Sequence, residues 1–224
     1  MSHRNCIIVF VKAPVYGTVK TRLAEKINAG AALALYRAFV ADIMERLFTV
    51  DADLRIYFDP PDSRQSIIDW LGTGLPLAAQ SGNDLGRRMS AALAESLAKG
   101  YDNAVLLGSD LPDLPASIVT EAFDSLSRFP AVLGPSTDGG YYLIGFSNGG
   151  FAGEVFSDIE WSTDQVFART LQRFDQLQQP VYVLPPWQDI DTYADLKNLI
   201  LRVKNSPNLM PHTENALVEW KLME

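Results

Sequence analysis

The chain has one cysteine and two histidines in 224 residues, and these shortages remove whole classes of chemistry. A lone Cys6 excludes an intrachain disulfide and any Cys-x-x-Cys pair for zinc. It falls within an apolar run, where a small buried residue is the expected role. His3 and His212 stand near the two ends. A Ser-His-Asp triad is therefore not expected, and no His-x-Glu zinc spacing exists. Basic residues are also scarce: 19 Lys and Arg face 27 Asp and Glu, for a net charge of −8 and a pI near 4.8. That balance argues against nucleic acid or an anionic membrane surface as the main partner. No stretch is long enough to span a bilayer. The first apolar run is too short for a secretory signal and leads into a charged loop, so the expected location is the cytoplasm.

What is present is the composition of an ordinary globular enzyme, 47% hydrophobic and 21% charged, in a chain long enough to bury a sizeable core. Strand and helix signals alternate. Apolar runs at 6–11, 54–58, 104–107, 131–134, 141–146 and 181–184 read as strands, with a brief one at 75–79. Helical spacing covers 29–48, 66–71 and 84–99, and Pro115 suits the first turn of a helix to about 127. Ser162 with Gln165, and Thr192 with Asp195, have the spacing of capping boxes that open two later helices. The order predicts an α/β domain over 1–204, a doubly wound and mainly parallel sheet with helices on both faces. Residues 205–224 read as a tail or docking segment.

Against the acidic whole, the first 26 residues hold Arg4, Lys12, Lys20, Arg22 and Lys26 with only Glu25 opposing them. Lys12, Gly17, Lys20 and Arg22 follow the first strand, the place where open α/β sheets bind ligands. A basic loop on an acidic protein suits a small anion, such as a nucleotide phosphate. Asp110 ends the 104–107 strand in Gly-Ser-Asp-Leu-Pro-Asp-Leu, where a carboxylate holds a hard cation or merely shapes a turn. Asp113 reads as a turn residue. Asp191 is the natural partner from a distant loop, with Asp189 competing, though an aspartate ahead of a helix is also explained by the helix dipole.

Two glycine-rich segments complete the set. In 80–89, Gln80 offers the donor and acceptor pair that base recognition needs, Gly82 allows close approach, and Arg87 or Arg88 can reach a phosphate. In 134–142, Asp138, Gly139 and Gly140 can wrap a polyhydroxylated group, and equally make a tight hairpin turn. Trp161 reads as core, or as a platform for an acceptor.

Six motifs occur in order: P-x-x-G-x-V-K-T-R-L, Q-x-G-x-D-L-G-x-R-M, G-S-D-L-P-D-L, G-P-S-x-D-G-G-Y-Y-L-I-G, W-S-T and D-I-D-T. Across 5–203 they resemble the bacterial nucleotide-diphospho-sugar transferase-like proteins, a group labelled as glycosyltransferases and linked to arsenosugar biosynthesis. Wider relatives are the molybdenum-cofactor and phospholactate guanylyltransferases. The resemblance implies a glycosyltransferase A-type fold, with Mg²⁺ or Mn²⁺ on Asp110 and Asp191. It implies phosphates on Lys20 and Arg22 and a base at Gln80 and Gly82. The residues' own chemistry adds Lys12, Gly17 and Arg88 to the phosphate set and places a sugar or acceptor near Asp138, Gly139, Gly140 and Trp161. Asp110, Lys20 and Asp138 are the catalytic candidates. Glycosyl transfer from a nucleotide-diphospho-sugar to a small-molecule acceptor is the expected reaction. Nucleotidylyl transfer is the alternative, and nucleotide binding without turnover a second one. A homo-oligomer is compatible with all three.

Overall fold

The computed structural model describes residues 4–223, which leaves His3 outside. Seven strands form one sheet: β1 (Asn5–Lys12), β2 (Asp53–Asp59), β3 (Leu77–Ala79), β4 (Asn103–Gly108), β5 (Ala131–Pro135), β6 (Tyr141–Ser147) and β7 (Val181–Val183). Their spatial order is β3-β2-β1-β4-β6-β5-β7. Every neighbouring pair is parallel except those of β6, which runs antiparallel to both β4 and β5. The chain therefore builds outward from β1 to β3, then returns to lay β4 on the other side of β1. The gap between the ends of β1 and β4 is the topological switch point, where such sheets leave a crevice.

Alternation along β1 explains how the sheet is covered on both sides. Ile7, Val9 and Val11 face a core shared with α2 (Ala29–Leu47), α3 (Arg64–Leu71) and α5 (Ala116–Leu126). Cys6 and Ile8 face the opposite core, with α4 (Leu85–Ala98) and α6 (Val166–Gln176). Burial pushes the Cys6 thiol up to about 11, which leaves it an inert core group. A third apolar layer packs α1 (Thr21–Ile27), α7 (Tyr193–Asn205) and α8 (Pro211–Glu219) against the outer face of α2. For that reason α2 is apolar almost all round: Tyr36, Val40 and Ile43 face the sheet, while Leu35 and Phe39 face the outer layer.

The segment after 205, expected as a tail or docking segment, carries α8 from Pro211, with Thr213, Ala216 and Leu217 buried. Asp42 of α2 accepts the His212 and Thr213 backbone N–H groups at 3.1 and 2.8 Å, closing the helix start that Pro cannot cap. The helix after Trp161 does not open at Ser162, which holds a left-handed φ of 67°. It begins at Val166 with no side-chain cap, because the Gly139 carbonyl of the β5–β6 turn accepts the Phe167 N–H at 2.8 Å. The short α1, too brief to show a period, was absent from the sequence pattern. The Thr192–Asp195 capping box is present as expected.

Candidate active site

A cleft of about 390 Å³ opens at the switch point, between the carboxyl ends of β1 and β4. It gathers residues from six places along the chain. Lys12 leaves β1, Lys20 and Arg22 enter α1, Gln80 follows β3, Arg88 rises from α4, Asp110 follows β4, and Asp191 precedes α7. The sequence reading placed all seven in one site, and the fold brings them to one cavity.

At its floor Lys20 is the hub. Its side chain is 3% exposed, and its ammonium lies 2.8 Å from Asp110 Oδ2 and 3.4 Å from Asp191 Oδ1. It also donates to the Ile190 carbonyl at 2.5 Å. Arg22 reaches the other oxygen of Asp191 at 3.2 Å from a far more exposed position. The loop end is tied down as well, since the Ile190 N–H donates to the Asp110 carbonyl at 3.1 Å. Asp110 Oδ1 is buried and has no hydrogen-bond partner among the described residues. A buried carboxylate oxygen without a donor suits a cation ligand, since burying it bare is unfavourable. Asp110 and Asp191 thus fit a hard divalent ion held by few carboxylates and by substrate oxygens.

Tyr36 is a wall residue the sequence did not single out, because its place on α2 looks like one more core position. Its hydroxyl accepts the Lys12 N–H at 2.8 Å and donates to the Lys12 carbonyl at 3.0 Å, anchoring the end of β1. Burial, then the negative charge of Asp110, raises its phenol pKa above the ordinary value, so it stays protonated. On the far wall Arg88 pairs with Asp59 at 3.1 Å and donates to the Gly82 carbonyl at 3.2 Å, whereas Arg87 turns outward to Asp84. Gln80 donates its amide to the Tyr57 carbonyl at 3.1 Å, which leaves the amide oxygen for other contacts. Gly17 lies in the exposed turn between Lys12 and Lys20, closed by the Thr18 N–H on the Val15 carbonyl at 3.1 Å.

The second glycine-rich segment does not line this cleft. Asp138 accepts the Gly140 N–H at 2.9 Å and the Ser136 hydroxyl, the pattern of a self-contained turn. Trp161 packs over Gly86 and meets Tyr141 edge-on, with ring centroids 6.4 Å apart. Those contacts give Gly139, Gly140 and Trp161 structural roles in the β5–β6 turn and its packing against α4. Asp113 is likewise structural: buried, it accepts from Arg202 at 2.6 Å and from the Trp187 indole at 3.2 Å.

Asp189 carries a signal that spacing could not show. Burial, then the charge of Asp138, raises its carboxyl to about 6, with Asp110 adding and Lys20 opposing. A carboxyl raised on folding binds its proton more tightly in the native state. Wild-type stability should therefore fall as pH rises from about 4 through 6. Asp189→Asn should be more stable than wild type near pH 8 without metal, by at most about 3 kcal/mol. The difference should vanish below about pH 4. Denaturant unfolding across that range checks it, and a gap independent of pH would reject it.

Sheet order, antiparallel β6 and cleft define the nucleotide-diphospho-sugar transferase type of α/β fold. The chain belongs to the bacterial family described as "Uncharacterized protein conserved in bacteria (DUF2064)", whose model matches residues 43–163. A proposed nucleotide-diphospho-sugar transferase from Desulfovibrio desulfuricans G20 is 38% identical, with 99% of each chain covered and a TM-score of 0.91. A cytidylyltransferase from Leptospira borgpetersenii is similar in fold: TM-score 0.59, 16% identity, 99% of this chain and 95% of that one. So is 4-diphosphocytidyl-2C-methyl-D-erythritol synthase from Anaerococcus prevotii: TM-score 0.60, 12% identity, 90% of this chain and 96% of that one. No curated protein matches. Among the described residues, no helix is long and apolar enough to cross a membrane.

Proposed function

We propose that the chain transfers a glycosyl group from a nucleotide-diphospho-sugar to a small-molecule acceptor, with Mg²⁺ or Mn²⁺ on the diphosphate. The observation that carries this is the meeting of Lys12, Lys20, Arg22 and Arg88 with Asp110 and Asp191 in one switch-point cleft. Four cations on an acidic protein match a diphosphate. The partly buried carboxylates match the ion that would neutralise it. Gln80 would offer its free amide oxygen to a base, with Gly82 framing that loop. Asp138, whose charge helps to raise the Asp189 carboxyl, would be the candidate to contact the acceptor or sugar. The 38%-identical relative, itself a proposed nucleotide-diphospho-sugar transferase, supports this choice.

Nucleotidylyl transfer is the second reading, and the cation count favours it. A leaving pyrophosphate carries more charge than a diphosphate ester, and such catalysis is mostly positioning and neutralisation. Among the described residues, no histidine lines the cleft.

A thermal-shift panel of nucleoside triphosphates and nucleotide-sugars, each with and without Mg²⁺, separates the readings. A ligand at about 100 times its dissociation constant adds roughly 2.7 kcal/mol, or about 5–10 °C for a chain of this size. Stabilisation by one nucleotide-sugar with Mg²⁺ is the expected result and names the donor. Stabilisation by a triphosphate alone would favour nucleotidylyl transfer. Silence across the panel would sink both.

A further inference from the structure

Lys20 occupies the space that a cation shared by Asp110 and Asp191 would need. In the free protein its ammonium is enclosed by protein oxygens: it donates to the Ile190 carbonyl at 2.5 Å and to Asp191 at 3.4 Å, and it is ion-paired with Asp110 at 2.8 Å. The backbone that aims the side chain inward is left-handed, φ 51° at a non-glycine residue, a conformation that persists only where the surroundings impose it. The Ile190 N–H bond to the Asp110 carbonyl locks the two walls of this nest together. A divalent ion held by the same carboxylates would meet the like charge of the ammonium, and in a part-buried site such repulsion is large.

We propose that Lys20 is an internal cation that holds the divalent-ion site closed in the free protein. An incoming phosphate would draw the ammonium off the carboxylates and so admit the ion. This rests on Asp110 and Asp191 being the ion's ligands, and it adds an order: the anion comes with or before the metal. Asp110 Oδ1, already buried and unpartnered, is the oxygen waiting for the ion. Arg22 touches only Asp191, and from outside the nest, so it tunes the site without filling it.

The test is titration of Mn²⁺ into nucleotide-free protein, followed by the electron paramagnetic resonance of free Mn²⁺. Lys20→Met should bind the ion at least about tenfold more tightly than wild type, within the usual range of coupling between sites. Arg22→Met should stay within about threefold of wild type. Equal affinity in wild type and Lys20→Met, or an equal gain in Arg22→Met, overturns the proposal. If Lys20→Met does not fold, wild type labelled with ¹⁵N-lysine decides. The buried ammonium resonance should move with pyrophosphate alone and stay in place with Mg²⁺ alone; the reverse overturns it. Both readouts use free protein, so a failed nucleotide panel would sink the proposed function and leave this result standing on its own.

Discussion

Asp110→Asn should lower turnover by a factor on the order of 10²–10³ while the protein stays folded. The two side chains are nearly isosteric, and the Asp110 carbonyl keeps its bond from the Ile190 N–H. What is lost is the charge beside Lys20, which retains Asp191 and the Ile190 carbonyl as partners. That loss should cost about 1–3 kcal/mol, a drop of roughly 2–12 °C in melting temperature. Asp113, three residues on in the same motif, supplies the control. It is 4% exposed and holds Arg202 and Trp187. Asp113→Asn should therefore lose about 3–5 kcal/mol by leaving a charge unpaired, with turnover of the folded fraction within a few-fold of wild type. Initial rates with the donor found by thermal shift, together with melting curves, read both variants. An Asp110→Asn enzyme within threefold of wild type would end the case for Asp110 at the reaction centre.

That contrast marks what a single sequence shows and what it hides. Apolar runs such as 6–11 and 104–107 are visible because a strand buried on both faces needs continuous apolar residues. The cations after β1 and the aspartate after β4 are visible because the sheet topology sends both to the same edge. The direction in which Lys20 points was not visible. It depends on a carbonyl 170 residues away, Ile190 O, and on a left-handed backbone that no periodicity encodes. Tyr36 was hidden for the opposite reason: its spacing fits the core face of α2, and only its hydroxyl reaches Lys12. Ser162 was misread because a capping box is a local pattern, whereas the start of α6 is completed by the Gly139 carbonyl from another element.

Gly139→Ala should be the most damaging single-methyl change in the β5–β6 turn. The residue holds φ at +93°, and an added Cβ would stand 2.1 Å from the Asp164 carbonyl oxygen and 2.6 Å from its carbon. Both obstacles are backbone, so no rotamer change relieves them. The unfavourable φ costs about 1–2 kcal/mol, and forcing the segments apart a further 1–3 kcal/mol. The sum, about 2–5 kcal/mol, corresponds to a fall of roughly 4–20 °C in melting temperature. Separation would also weaken the Phe167 N–H bond to the Gly139 carbonyl, so the start of α6 should fray first. Hydrogen exchange at 166–170 should then rise well before exchange in β1 or β4. If Gly139 instead served only to let a sugar approach, the alanine variant would melt with wild type and lose affinity alone. A normal melting curve with unchanged exchange at 166–170 would return Gly139 to the ligand side of the protein.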